Sequence, residues 1–297
     1  MKYYRIFFIT LIFLSYMNCE TSHKKEVKNG TSEVSEITQE TLKLMTYNIR
    51  LDVASDGENA WPNRKDILTS QVLFLAPDIM GVQEARPNQM EDLRKALKDY
   101  KSVGVGRDGE NEGEFSAIFY NSKKISVENE ATFWLSETPN EISKGWDAAY
   151  PRICTYGLFT ATNTGQKFWV FNTHLDHVGA EAQKEGMKLI LRKIDKINVK
   201  GFPVVIMGDF NVEPNSDVIA ETQSKMVDAK AIAKVKFGNN GTFNGFKYAE
   251  IANRRIDYIL ISKSSNVEVE KYAVLTSAVD LKFPSDHFPV LVELKIK

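Results

Sequence analysis

The stretch FPVVIMGDFNVEPNS, residues 202–216, holds the feature that decides the fold. Val204, Val205, Ile206 and Met207 form a short apolar run of the kind that makes a buried strand, and it ends abruptly in Gly208, Asp209, Phe210 and Asn211. Such a strand delivers a carboxylate and a carboxamide at its tip. The arrangement recurs along the chain. Leu44 to Tyr47 leads to Asn48, Ile79 to Gln83 leads to Glu84, and Phe168 to Phe171 leads to Asn172, Thr173 and His174. Asp286 and His287 stand just before the apolar run that starts at Val290, and Asp257 lies early in the run 256–262. An isolated Asn or Asp at a strand end is ordinarily a turn residue that bonds its own backbone. Six apolar segments that each begin or end in such a group are a pattern that unrelated turns do not explain.

Working outward, strand-like runs rich in Val, Ile, Phe and Tyr fall at 42–49, 79–83, 115–120, 153–161, 168–172, 203–207, 256–262, 267–275 and 290–296. Helical spacing appears at 63–75, at 87–97 behind Pro87, and most clearly at 181–197, where Met187, Ile190, Leu191, Ile194 and Ile197 share a face. Strands outnumber helices and several follow one another directly. The expected class is therefore α/β, with mixed or antiparallel sheets rather than a strictly alternating parallel one.

The chain has 297 residues and a formal net charge of -1, enough for one large domain and without an overall positive field to gather nucleic acid or anionic lipid. Lys2 and Arg5 followed by an apolar run to Met17 read as a signal peptide over 1–18. Cys19 directly after that run resembles the acylated cysteine of a bacterial lipoprotein, although Met17 and Asn18 are not the small residues usual there. Residues 19–40, rich in Glu, Lys, Ser and Thr, read as a flexible tether, and 41–297 as the domain. The expected location is outside the cytoplasm, held to a membrane through the lipid alone, or secreted if Cys19 is not acylated. Cys154 is then left without an internal partner.

Oxygen-bearing side chains gathered at strand tips suit a hard dication such as Mg²⁺ or Mn²⁺, which needs one or two carboxylates and keeps several waters. Glu84 and Asp286 supply carboxylates, with Asn48 and Asn211 as neutral ligands or water positioners. Two histidines near carboxylates suit proton transfer and charge stabilisation. The sequence contains no HExxH helix, P-loop or GxGxxG turn.

The ordered set TYNIR, GVQEA, NTHLD, GDFN, RIDYI and SDHFPV resembles the endonuclease/exonuclease/phosphatase family of DNase I-like nucleases, inositol phosphatases and sphingomyelinases. WDAAYPRICTYG further resembles a bacterial branch close to the nocturnin type. The resemblance implies a four-layer α/β sandwich with two central sheets, outer helices and a site at one edge. It implies Glu84 as the principal metal ligand, with Asn48 beside it and Asp286 as a further one. Asp209 would orient or deprotonate the attacking water, and Asn211 would hold that water or a phosphate oxygen. His287, oriented by Asp257, would stabilise the phosphoryl group or act as base, and His174 would serve phosphate oxygens or the leaving group. Tyr120 falls where some members carry a phosphate-contacting Tyr, and Arg64 and Arg152 are candidates for a substrate clamp. Each of these last three has an equally good structural reading.

The expected function is a metal-dependent hydrolase of a phosphate mono- or diester, acting as a monomer. A nuclease on DNA or RNA is the main alternative, disfavoured by the charge balance. A non-catalytic binding lipoprotein is the second, and it would have lost one of the polar residues that are all present here.

Overall fold

Alternation along the first strand sets the layers. In the computed structural model, which describes residues 41–263 and 265–297, β1 spans Leu42–Asn48. Leu42 and Leu44 pack in one core and Met45 and Tyr47 in another, because successive side chains of a strand point to opposite faces. The expectations for the signal peptide, the tether and Cys19 lie outside the described residues.

After β1 come α1 (Trp61–Leu75), β2 (Ile79–Gln83), α2 (Pro87–Ala96), β3 (Tyr100–Val103), β4 (Ile118–Asn121), β5 (Ile125–Trp134), β6 (Ile153–Ala161) and β7 (Lys167–His174). The chain continues through α3 (Ala180–Ile197), β8 (Val204–Asp209), α4 (Asp217–Thr222), β9 (Met226–Asp228), α5 (Ala229–Ile232), β10 (Val235–Gly238), β11 (Asp257–Ser262), β12 (Val267–Val274) and β13 (Val290–Ile296). One sheet has the order β10-β12-β13-β1-β2-β4-β3 and the other β5-β6-β7-β8-β11-β9. Both are mixed: β1 pairs parallel with β2 and β7 parallel with β8, while β1–β13 and β8–β11 are antiparallel.

Three apolar cores define four layers. Leu44, Ile79, Phe168, Val170, Val205 and Met207 fill the space between the sheets. Trp61, Leu68 and Leu93 of α1 and α2 cover Met45, Tyr47 and Val82 on the outside of the first sheet. On the second sheet, Met187, Ile190 and Ile194 of α3 cover Phe171, Val204 and Ile206. The sequence expected the sandwich and the three long helices. It missed β3, β5, β9 and β10 and the short helices α4 and α5.

Hydrogen bonds between the sheets fix how their tips meet. Asn172 of β7 donates through Nδ2 to the carbonyls of Val82 and Ala117, each at 2.9 Å, and its Oδ1 accepts from Gln83 Nε2 at 2.7 Å. All four groups are buried, so each would carry a desolvation penalty if left unpaired. Room for the amide comes from Gly81, where an added Cβ would lie 2.6 Å from Asn172 Oδ1. Asn172→Ala removes all three bonds, leaving the Ala117 carbonyl with only the Val82 amide and Gln83 Nε2 with only Thr46 Oγ1, and the expected loss is about 3 kcal/mol in chemical denaturation. A loss below about 1 kcal/mol would show that water or relaxation replaces the bridge.

Candidate active site

Positions facing between the sheets are apolar for most of each strand and turn polar at one end. On β1 the inward series is Leu42, Leu44, Thr46, Asn48; on β8 it is Val205, Met207, Asp209; on β7 it is Phe168, Val170, Asn172, His174; on β11 it is Asp257, Ile259, Ile261. Register brings these ends together, since Asp209 pairs with His174 on one side and Asp257 on the other, and Asn48 pairs with Gln83. Asn48 Nδ2 crosses the sandwich to Asp209 Oδ2 at 2.9 Å and also reaches Glu84 Oε1 at 2.9 Å.

Asp209 is the hub. Its Oδ2 lies 3.5 Å from His174 Nε2 and 3.7 Å from His287 Nε2, and its Oδ1 accepts from the Asn211 amide at 2.9 Å. Burial, then the neighbouring Asp257, pushes its carboxyl up to about 7. His287 Nδ1 meets Asp257 Oδ2 at 2.9 Å; burial opposes its charge, but Asp257 and then Asp209 outweigh burial and hold the imidazole protonated well above its ordinary range. His174 behaves oppositely: burial, then Arg152, keeps it neutral. Asn211 Nδ2 contacts His174 Nε2 at 3.0 Å and donates to the Leu175 carbonyl at 3.1 Å, which fixes the amide and makes Nε2 the acceptor.

Glu84 and Asp286 form the acidic side. Leu51 N donates to Glu84 Oε2 at 3.0 Å. Arg50 stands 3.9 Å from Glu84 Oε2 and 3.9 Å from Asp286 Oδ2 while paired at 2.9 Å with Asp56. Asp286 is pushed up to about 6, by burial and by Glu84 against the pull of His287. Two carboxylates, Asp286 buried and Glu84 partly so, that repel each other and draw a guanidinium toward both fit a hard dication. Asn48, expected as a neutral ligand or water positioner, is held between the Glu84 and Asp209 carboxylates. Its oxygen accepts from the Arg50 amide at 3.0 Å and its nitrogen bridges Glu84 and Asp209, so it positions these two carboxylates. Glu84, Arg50 and Asn211 all take left-handed φ values, of 63°, 56° and 55°. Backbone strain of this kind is held where side chains must be aimed.

A cleft of about 560 Å³ opens over this cluster, and Glu84, His174, Asp209, Asn211, Asp286 and His287 line it. Asp257 is buried behind His287. Arg152 also reaches the cleft, but its guanidinium is tied to Asp176 Oδ2 at 3.2 Å and His177 Nδ1 at 3.0 Å. Two expected substrate contacts lie elsewhere. Arg64 is buried and donates to the carbonyls of Ile49, Arg50, Asn59 and Pro284, so it braces the loops that carry Arg50 and Asp286. Tyr120 packs edge-on against Phe159 at 5.7 Å in the inter-sheet core, opposite Ile79 at the far end of β2 from the site. Sequence reasoning passed over Arg50, Arg107, Tyr150 and His177, all of which line the cleft. Arg50 lies within TYNIR, Tyr150 within WDAAYPRICTYG and His177 directly after NTHLD, and that placement was the available signal.

A sandwich whose two sheets converge on buried Asp, Asn and His, with Glu84 beside them, at their tips has the architecture of the DNase I-like hydrolases. The chain belongs to the endonuclease/exonuclease/phosphatase family, whose sequence profile matches residues 45–287. Among solved structures, a family protein from Bacteroides thetaiotaomicron is 36% identical with a TM-score of 0.83, over 87% of this chain and 99% of that one. A mannosyl-6-phosphatase from the same organism is 38% identical with a TM-score of 0.81, over 85% of this chain and 99% of that one. The human nocturnin catalytic domain, 18% identical with a TM-score of 0.69 over 86% of this chain and 95% of its own, shares the fold. An uncharacterized protein of Acanthamoeba polyphaga mimivirus is 30% identical over 161 residues, 52% of this chain, and the match spans 60% of the length of that curated relative.

Asp209, Asp286 and His287 all bind protons more tightly folded than unfolded. A raised group contributes stability that is complete below its unfolded value and is lost as pH rises through its folded value. For the two carboxyls that window runs from about pH 4 to about 6 for Asp286 and about 7 for Asp209. In chelator, the Tm is therefore expected to fall between about pH 5 and about pH 8, and added Mg²⁺ to offset the fall by binding the ionised forms. A Tm that rises across this range in chelator would contradict the proton inventory.

Proposed function

We propose that the domain is a divalent-metal-dependent phosphoesterase that hydrolyses a phosphate ester by attack of water, with a phosphomonoester of a small polar molecule as substrate. The observation that carries the reading is Asp209, tuned near neutrality, set beside a protonated His287 that Asp257 backs. The mannosyl-6-phosphatase relative supports a monoester over a nucleic-acid diester. The lipid on Cys19, the extracytoplasmic location and the monomeric state belong to the same proposal.

Glu84 and Asp286 would hold the metal ion, Mg²⁺ or Mn²⁺. When bound, it supplies Lewis-acid stabilisation of charge on the phosphate oxygens. The chain's own groups do the rest. Asp209 takes a proton from the attacking water, a task suited to a carboxyl that titrates near the working pH. Asn211, fixed through its amide to His174 and Leu175, orients the water or a phosphate oxygen. His287 directs positive charge at the phosphoryl group as negative charge builds, and Asp257 keeps that charge in place. His174 is neutral and contributes orientation near the leaving group rather than charge.

Asp209→Asn and His287→Ala are each expected to lower kcat by about 10² to 10⁴-fold with the circular-dichroism spectrum retained. The assay compares Mg²⁺, Mn²⁺ and chelator on sugar phosphates, inositol phosphates, nucleotides, sphingomyelin, RNA and plasmid DNA. Wild-type turnover in Asp209→Asn, or equal rates with and without chelator, would sink the proposal.

A further inference from the structure

One wall of the cleft is built with care and takes no part in the chemistry described above. It consists of Arg107, Glu114, Tyr150 and His177, all lining the same cavity as His174 and Asn211. Asp176 anchors it. Burial would raise that carboxyl, but the amides of Gly179 and Val178, at 2.8 and 3.0 Å, hold it well below the usual range, and it accepts from Arg152 Nε at 3.2 Å. Arg152 Nη2 then meets His177 Nδ1 at 3.0 Å. A guanidinium only donates, so Nδ1 accepts and the neutral ring carries its proton on Nε2. The Tyr150 ring lies nearly parallel to His177, at 14° with centroids 6.0 Å apart, and is 50% exposed. Arg107 stands 4.9 Å from the Tyr150 ring centre and pairs with Glu114 Oε1 at 2.9 Å, yet its buried Nε has no partner. Arg107 and Glu114 also line an adjoining lobe of about 250 Å³, together with Arg86 and Asp108.

The chemistry of this wall is specific. Arg107 is balanced by Glu114 and Arg152 by Asp176, so the wall offers no surplus of charge for a polyanionic strand. The buried Arg107 Nε would stay unpaired against an acyl chain, and the other polar edges of the wall would lose water without gaining a partner. A ring bearing several hydroxyls pairs with N–H donors and carboxylate acceptors alike, because each hydroxyl donates and accepts, and its C–H face can lie on an aromatic ring. We infer that this wall is the leaving-group subsite for a sugar ring, with Tyr150, His177, Arg107 and Glu114 setting specificity. The inference rests on the phosphoesterase reading for its place beside the phosphate.

The test measures kcat/KM of the Mg²⁺-loaded full chain, wild type, Tyr150→Ala, His177→Phe and Glu114→Gln, on mannose 6-phosphate, glucose 6-phosphate and para-nitrophenyl phosphate, with Tm as the check on folding. The three variants are expected to lose roughly tenfold or more on the best hexose phosphate while changing less than about threefold on the aryl ester. Equal losses on both esters, or turnover of the aryl ester without either hexose phosphate, would overturn the subsite and leave the phosphoesterase standing. If wild type hydrolyses neither class, saturation-transfer NMR with methyl α-mannoside and methyl α-glucoside decides. A signal lost in Tyr150→Ala would keep the subsite while the phosphoesterase reading falls, and no signal with wild type would end the inference.

Discussion

The hydrogen bond from Asn48 Nδ2 to Asp209 Oδ2, 2.9 Å long and buried, joins the two sheets at the edge where the chemistry gathers. Everything else about the site follows from its placement. Each sheet contributes strands whose inward positions are apolar up to the last one or two residues, and those last residues are Asn48, Gln83, Asn172, His174 and Asp209. The apolar part of each strand supplies the burial that holds the sheets face to face. The polar ends then meet each other across the gap, because period-two alternation gives them no other direction to point. A site built this way needs no loop to position its central carboxylate. Rigid strands hold it, which suits a reaction that loses rate when a group moves by a fraction of an ångström.

The cost of this design is electrostatic. Asp209 is buried beside Asp257 and Asp286 is buried near Glu84, and both Asp209 and Asp286 are driven toward protonation as a result. One protonated imidazole, His287, and one guanidinium, Arg50, offset part of that charge. The backbone adds its own cost, because Glu84, Arg50 and Asn211 sit in left-handed conformations that non-glycine residues seldom adopt. Strain and like-charge crowding occur here together, and a structure retains such features when they serve a task.

Much of this was legible in the sequence, and the reasons are particular. The strand tips were readable because a run such as VVIM followed by GDFN has a sharp boundary. The four-layer arrangement came with the resemblance. What failed to show was of two kinds. β5 was passed over because ISVENEATFW is polar and largely exposed through its middle, and the exposed β10, VKFG, is too short to carry a pattern. Tyr120 was suggested by the resemblance and Arg64 by the reach of its guanidinium, but register sends Tyr120 into the core and carbonyl groups claim every arm of Arg64. Arg107 and Tyr150 lie in irregular segments, where no periodicity links a residue to the cavity it faces.

That last separation has an evolutionary meaning. His174, Asp209 and Asp257 are fixed to strands whose inward faces also make the core, so nearly any change there is paid in folding as well as rate. Arg107 and Tyr150 hang instead from the segments between β3 and β4 and between β5 and β6, which can lengthen, shorten or change sequence without disturbing a ladder. A lineage carrying this sandwich can therefore explore new leaving groups by drift in two connecting segments while its hydrolytic machinery stays frozen. Substrate diversity among descendants of one ancestral domain is the natural outcome, and sequence divergence should concentrate in those connections long before it reaches the strand tips.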